Sequence, residues 1–163
     1  MQRGELFSQP FIMIFALIIM ALVLVFGIRS FTQVSDTADS VDAAKFILQL
    51  KNEITKYYNF DIGSSKILKI SLPTKLKEIC FYNPAQAITA DLDPYVKGVI
   101  EKGRNNLYLL PLETYPTSSY PIEHLRNIDK KNPSCIQKKE GSITIYLETQ
   151  ADSKDAYVGV KRA

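Results

Sequence analysis

Few side chains in this 163-residue chain are equipped for chemistry. There is one histidine, His124, in the run Pro121-Ile122-Glu123-His124-Leu125. A lone imidazole of this kind more often packs or faces water than catalyses, and in a strand Glu123 would point to the opposite face. Catalysis would require folding to bring Glu123, His124 and another carboxylate into one pocket. The seven glycines never form G-x-G-x-x-G, G-x-x-x-x-G-K or G-x-S-x-G, so the sequence has neither a phosphate-cradling loop nor a nucleophile elbow. No H-E-x-x-H and no Cys/His cluster at zinc spacing occurs. Asp36, Asp39 and Asp42 can share a helix face, but that spacing is poor calcium geometry, and a solvated acidic face is the plainer reading. The inventory predicts a non-enzyme with no cofactor and no metal.

The two cysteines, Cys80 and Cys135, form no C-x-x-C and have no metal-ligand partners nearby in sequence. They fit one disulfide on an oxidising face of a membrane; two unrelated buried thiols in a cytosolic domain are the alternative. Closing a loop of about 55 residues would stabilise the fold by roughly 4 kcal/mol in the chain-entropy picture. Tyrosine is abundant, with nine copies, and Tyr108, Tyr115 and Tyr120 sit in or near one loop. Tyr suits places that are dry at one end and wet at the other, so this loop reads either as a recognition surface or as ordinary half-buried packing. The triplet Asn132-Pro133-Ser134 is no glycosylation site, because its proline disqualifies it.

Composition narrows the class further. Hydrophobic residues at 46% and charged residues at 23% are ordinary globular values and argue against disorder. The net charge of +3 is small and dispersed, which makes nucleic acid a poor partner. The doublets Lys130-Lys131 and Lys138-Lys139 read as solvated surface.

The elements that must position these residues begin in a membrane. Phe11–Ile28 is 18 residues without a charge. At 1.5 Å per residue it makes a helix of roughly 27 Å, close to a hydrocarbon core of about 30 Å. The run is too long for an ordinary signal and lacks an Ala-x-Ala site, so a retained single-pass anchor is predicted. Arg3 and the α-amino group precede it; Arg29 and then three aspartates follow it. This bias favours a cytoplasmic N-terminus and an extracytoplasmic remainder.

From Ser30 to Tyr58 there is no Gly or Pro, and Val41, Ala44, Ile47, Leu48, Leu50, Ile54, Tyr57 and Tyr58 suggest an apolar stripe. The polar run Ser35–Asp42 reads as a possible hinge, with Asp39 or Ser40 capping a second helix. The helix should stop near Asn59–Gly63. Beyond Gly63 the period changes to two. Strands are predicted at Lys66–Leu72, Ile79–Tyr82, Leu107–Leu110, Cys135–Lys138, Ser142–Thr149 and Ala156–Lys161. A short helix opens at Asp93-Pro94 and is closed by Gly103. Tyr115–Pro133 reads as a long loop that hides at most a weak strand or turn within Pro121–Ile128.

These elements make an α+β fold: a long N-terminal helix, first transmembrane and then amphipathic, packed on a small antiparallel β-sheet. The divisions are residues 1–10 as leader and flank, 11–28 as transmembrane helix, 29–62 as helical stalk and 63–163 as a β-rich domain.

The N-terminus, Met-Gln-Arg-Gly-Glu-Leu-Phe-Ser-Gln-Pro ahead of the apolar run, resembles the class III signal peptide of type IV pilin-like proteins, particularly archaeal ones. The resemblance implies cleavage by a prepilin peptidase after Gly4, guided by Arg3, with Glu5 as the new first residue. It also implies a pilin-like fold and assembly with like subunits through Gln9 and the segment from Phe11 to Ile28. Many pilins carry Glu at the fifth mature position. Here that position is Gln9, which accepts a hydrogen bond but forms no ion pair, and Pro10 follows it. The implied function is a structural subunit of a surface filament or secretion-type assembly. The alternative is a single-pass membrane protein that displays a binding or accessory domain.

Overall fold

The computed structural model describes residues 8–153 and 155–163, and among these the side chains of all but residues 8–10 and 31–39. It divides into two compact units, Met1–Ala38 and Asp39–Ala163. Helix α1 spans Ser8–Tyr58. The expected hinge is not there: Ser35–Asp42 is helical throughout, so Asp39 and Ser40 lie inside α1 rather than capping a second helix. Polar side chains lower helix propensity only slightly, and no Gly or Pro interrupts the ladder.

The strands and second helix follow as β1 (Ser65–Ser71), β2 (Glu78–Phe81), α2 (Pro94–Lys102), β3 (Leu107–Leu110), β4 (Ser119–Tyr120), β5 (Leu125–Asn127), β6 (Ser134–Gln137), β7 (Ser142–Ala151) and β8 (Ala156–Arg162). They build two four-stranded sheets, ordered β1-β7-β8-β5 and β4-β3-β2-β6, rather than one. All pairs are antiparallel except β5–β8, which is parallel. The predicted loop Tyr115–Pro133 thus contains two strands, β4 and β5. β5 falls where a weak strand or turn is expected within Pro121–Ile128, whereas β4 is too short to show a period; β5 also turns a polar residue inward, with Asn127 buried beside Leu125. That inward amide is satisfied locally, with Nδ2 donating to the Lys131 carbonyl at 2.8 Å and Oδ1 accepting from the Asp129 N–H at 3.0 Å.

The buried stripe of α1 differs in part from the predicted one. Ala43, Phe46, Ile47, Leu50, Ile54 and Tyr57 are buried, at spacings of three, four and seven residues. Val41 (45% exposed) and Leu48 (60%) face solvent, and Ala44 is exposed as well. Phe46 and Ala43 belong to the stripe and were not in the expected set. Against them pack Leu68, Ile70, Ile143, Ile145, Leu147, Val158 and Val160 of the first sheet, with Ile79, Phe81, Leu107, Leu109 and Ile136 of the second. One core therefore serves the stripe and both sheets.

The last turn of α1 leaves carbonyls without helical partners. Thr149 of β7 answers one of them, its hydroxyl donating to the Tyr57 carbonyl at 2.7 Å in a buried position. Asn59 Nδ2 donates to the Thr55 carbonyl at 2.9 Å. The chain then turns at Gly63, whose φ of 91° is open to glycine at little cost. Asp93 caps α2 as the sequence indicates, its carboxylate accepting from the N–H groups of Tyr95 and Val96. Gly103 ends α2 for a different reason than expected. Its φ of −80° needs no glycine, but a Cβ there would run into the Tyr108 hydroxyl.

The stripe makes a sharp stability contrast. Leu50→Ala is expected to cost about 3 kcal/mol, whereas Leu48→Ala, two residues away and exposed, should stay within about 0.5 kcal/mol. Denaturant unfolding of the two variants measures the difference.

Candidate functional site

Phe11–Ser30 is the one candidate membrane span among the described residues, 20 residues long, and none of it is buried. Phe11 is 74% exposed and Ile28 66%, and the large apolar side chains between them are exposed on all sides of the helix. A helix that is apolar all round and uncovered suits a lipid or a protein-lined dry environment, since its backbone is satisfied internally. Arg3, Gly4 and Glu5, the predicted processing residues, lie outside the described residues. So does the side chain of Gln9.

In the Asp39–Ala163 unit the two cysteines meet. Cys80 on β2 and Cys135 on β6 are register partners, with Cα atoms 4.0 Å apart, and form a disulfide. The bond is covered by Tyr82, Ile100 and Tyr108, and α2 supplies Val96 and Val99 to the same cluster. Beside it, Asn132 knots the loop after β2. Its Nδ2 donates to the carbonyls of Asn83 (2.9 Å), Gln86 (2.9 Å) and Ala87 (3.2 Å), and its Oδ1 accepts from the Asn83 N–H at 2.8 Å. Asn132 thus serves as a structural clamp.

The other singled-out residues separate. His124, at a φ of 59°, stacks on Tyr58 with ring centroids 3.6 Å apart, and its carbonyl accepts the Val158 N–H at 2.7 Å. Tyr108 and Tyr115 are buried and Tyr120 is half-buried, so these tyrosines pack rather than display a face. The exposed one is Tyr95 on α2, 59% exposed, which the sequence reading passed over. Its hydroxyl donates to Glu113 at 3.1 Å. Asp42 pairs with Lys45 at 3.7 Å, and no metal-holding cluster of His, Cys, Asp or Glu occurs among the described residues. The side chains of Asp36 and Asp39 lie outside the described set.

The larger concavities differ in character. A groove of about 480 Å³ has an apolar floor of Val96, Leu110, Pro111 and Leu112. A cleft of about 560 Å³ is polar and is lined by Lys69, Glu78, Gln137, Lys139, Thr144 and Arg162 among others. Its residues come from β1, β2, β6, β7, β8 and the β6–β7 turn, too scattered in sequence for any motif to mark them. The Lys138-Lys139 doublet was the nearest signal and divides on folding. Lys138 Nζ donates to the carbonyls of Pro73 and Thr74, while Lys139 lines the cleft.

Arg162 sets the electrostatics there. Burial pushes the Glu78 carboxyl above its usual range, and the Arg162 charge offsets this in part. Asp129 goes the other way. Desolvation raises it, but hydrogen bonds from the Ser134 hydroxyl and the N–H groups of Lys130 and Arg162, with the Arg162 charge, outweigh that and hold it below its ordinary 3.8.

Comparison of the chain with family models, curated proteins and solved structures finds no match.

Two predictions follow from these contacts. Replacing Cys80 and Cys135 together by alanine should lower stability by about 4 kcal/mol in chemical denaturation, and a reductant should act on the natural chain alone. Asp129, with its depressed folded pKa, contributes stability that is present above 3.8 and lost as pH falls through the lower folded value. Asp129→Asn should therefore destabilise at pH 7, and the difference should shrink as pH falls below 3.8, in unfolding curves taken across that range.

Proposed function

We propose that this chain is a pilin-like structural subunit of a cell-surface filament or secretion-type assembly, anchored and assembled through its N-terminal apolar helix. The observation that carries the reading is the Phe11–Ser30 segment, which is apolar on every side and uncovered. Such a helix is stable in lipid, and it is equally stable packed with copies of itself, because both surroundings are dry. Transfer between them needs no active site. The leader supports the same reading: Arg3-Gly4 ahead of Glu5 offers a prepilin peptidase its charge and its small residue. The disulfide supports an oxidising compartment for the β-rich unit, with the N-terminus cytoplasmic. In this reading the catalytic inventory is thin because the role is mechanical.

A second reading is a single-pass membrane protein that displays a monomeric accessory domain. Gln9 favours it, since a glutamine at that position cannot form the ion pair with a neighbouring subunit's terminal amine that the family commonly uses.

Intact mass and N-terminal sequencing of native protein test the proposal. A mature chain beginning at Glu5 is expected, and Gly4→Leu should leave Met1–Gly4 attached. Electron microscopy of native material should show filaments that the Gly4→Leu variant lacks. A membrane-bound natural chain with an intact Met1 overturns the proposal.

A further inference from the structure

The polar cleft holds a combination of groups that its structural role does not use. Its walls are tied together by hydrogen bonds. The β6–β7 connection is a two-residue turn, with φ of 49° at Glu140 and 77° at Gly141, closed by reciprocal backbone hydrogen bonds of 2.8 and 3.0 Å between Lys139 and Ser142. The Leu72 N–H donates to the Gly141 carbonyl at 2.9 Å and fastens the turn to the end of β1. Lys69 and Thr144 are register partners on β1 and β7, so their side chains stand side by side. Arg162 is fixed by donation from Nη2 to the Cys135 carbonyl at 2.6 Å. It keeps further N–H groups for other acceptors.

Lys69 and Lys139 have no ion-pair partner among the described residues, although both line the cleft. With Arg162 they make three cationic groups. Glu78, Glu140, Gln137 and Thr144 supply acceptors between them. A bare inorganic anion would satisfy the cations and leave the carboxylates without donors. A neutral sugar would do the reverse. An apolar ligand would strand both sets.

We propose that this cleft binds an acidic sugar unit of a glycan, a ring that carries one carboxylate and several hydroxyls. The carboxylate sits at Lys69 and Lys139, with Arg162 at the rim. The hydroxyls donate to Glu78 and Glu140 and exchange hydrogen bonds with Gln137 and Thr144. The volume of about 560 Å³ lies within the usual range for small-ligand sites. The proposal is independent of filament assembly, since every residue in it belongs to the Asp39–Ala163 unit.

The test is calorimetric titration of the full-length chain in detergent micelles with three probes: trigalacturonate, galactotriose and inorganic phosphate, each also run into empty micelles. Trigalacturonate should bind, and its affinity should fall with added salt because the cations are exposed to screening. The double variant Lys69→Ala, Lys139→Ala should bind about tenfold more weakly or not at all. Thr144→Val, a second variant away from the charges, should weaken binding by a smaller factor. All the substituted side chains are exposed, so unchanged thermal unfolding of the variants confirms that the fold is intact. The proposal is overturned if trigalacturonate fails to bind at millimolar concentration, if galactotriose or phosphate binds as well as it does, or if the double variant binds it undiminished.

Discussion

Leu50 and Ile54 of α1 have almost no exposed surface, because two sheets close over the face that carries them. The rest of the Asp39–Ala163 unit depends on this burial. Each sheet has one apolar face, and neither could keep that face dry alone. A helix stripe of Ala43, Phe46, Ile47, Leu50, Ile54 and Tyr57 meets residues of both in one cluster. The hydrophobic term is non-directional, so it brings these faces together without fixing their order. The order comes from directional contacts.

Those contacts are few and buried. The Thr149 hydroxyl on the Tyr57 carbonyl couples the end of α1 to β7. The Asn132 amide holds the loop after β2 by three carbonyls. The disulfide joins β2 to β6 across a single register pair. Each satisfies or replaces a group that would be costly to leave unpaired inside the protein. Together they leave the outer surfaces unconstrained, and there the structure keeps its polar cleft and its apolar groove.

The apolar segment of the N-terminal unit has no such partner, for none of Phe11–Ser30 is buried. An uncovered apolar helix is destabilised by every side chain it exposes to water and by none that it exposes to lipid. Such a segment, 20 residues long and uncovered, is long and apolar enough to span a membrane beside a β-rich unit that has its own core.

Local chemistry was legible from the residues wherever neighbours in sequence decide the outcome. The apolar run, the Asp93 cap on α2, the alternation in β1, β7 and β8, and the Gly63 turn all follow from period, capping and backbone freedom, which act within a few residues. The stripe of α1 was only partly legible, because a helix with apolar residues on two faces does not say which face meets a partner; packing chose Phe46 over Leu48. β4 could not be read, and β5 only as a weak strand or turn within Pro121–Ile128, because both are too short to show a period and depend on β3 and β8 for their hydrogen bonds. The pairing of Cys80 with Cys135 could be proposed from redox logic, but adjacency on β2 and β6 is a matter of register. The cleft was invisible, since Lys69, Glu78, Lys139 and Arg162 converge only when distant strands pair. The sequence by itself determined what each segment could tolerate around it, dry or wet, straight or turned, because those preferences are short-ranged. Which surfaces met, and hence which charges came to share one concavity, was decided by the tertiary structure, because burial rewards any complementary partner and only the assembled set of strands selects one.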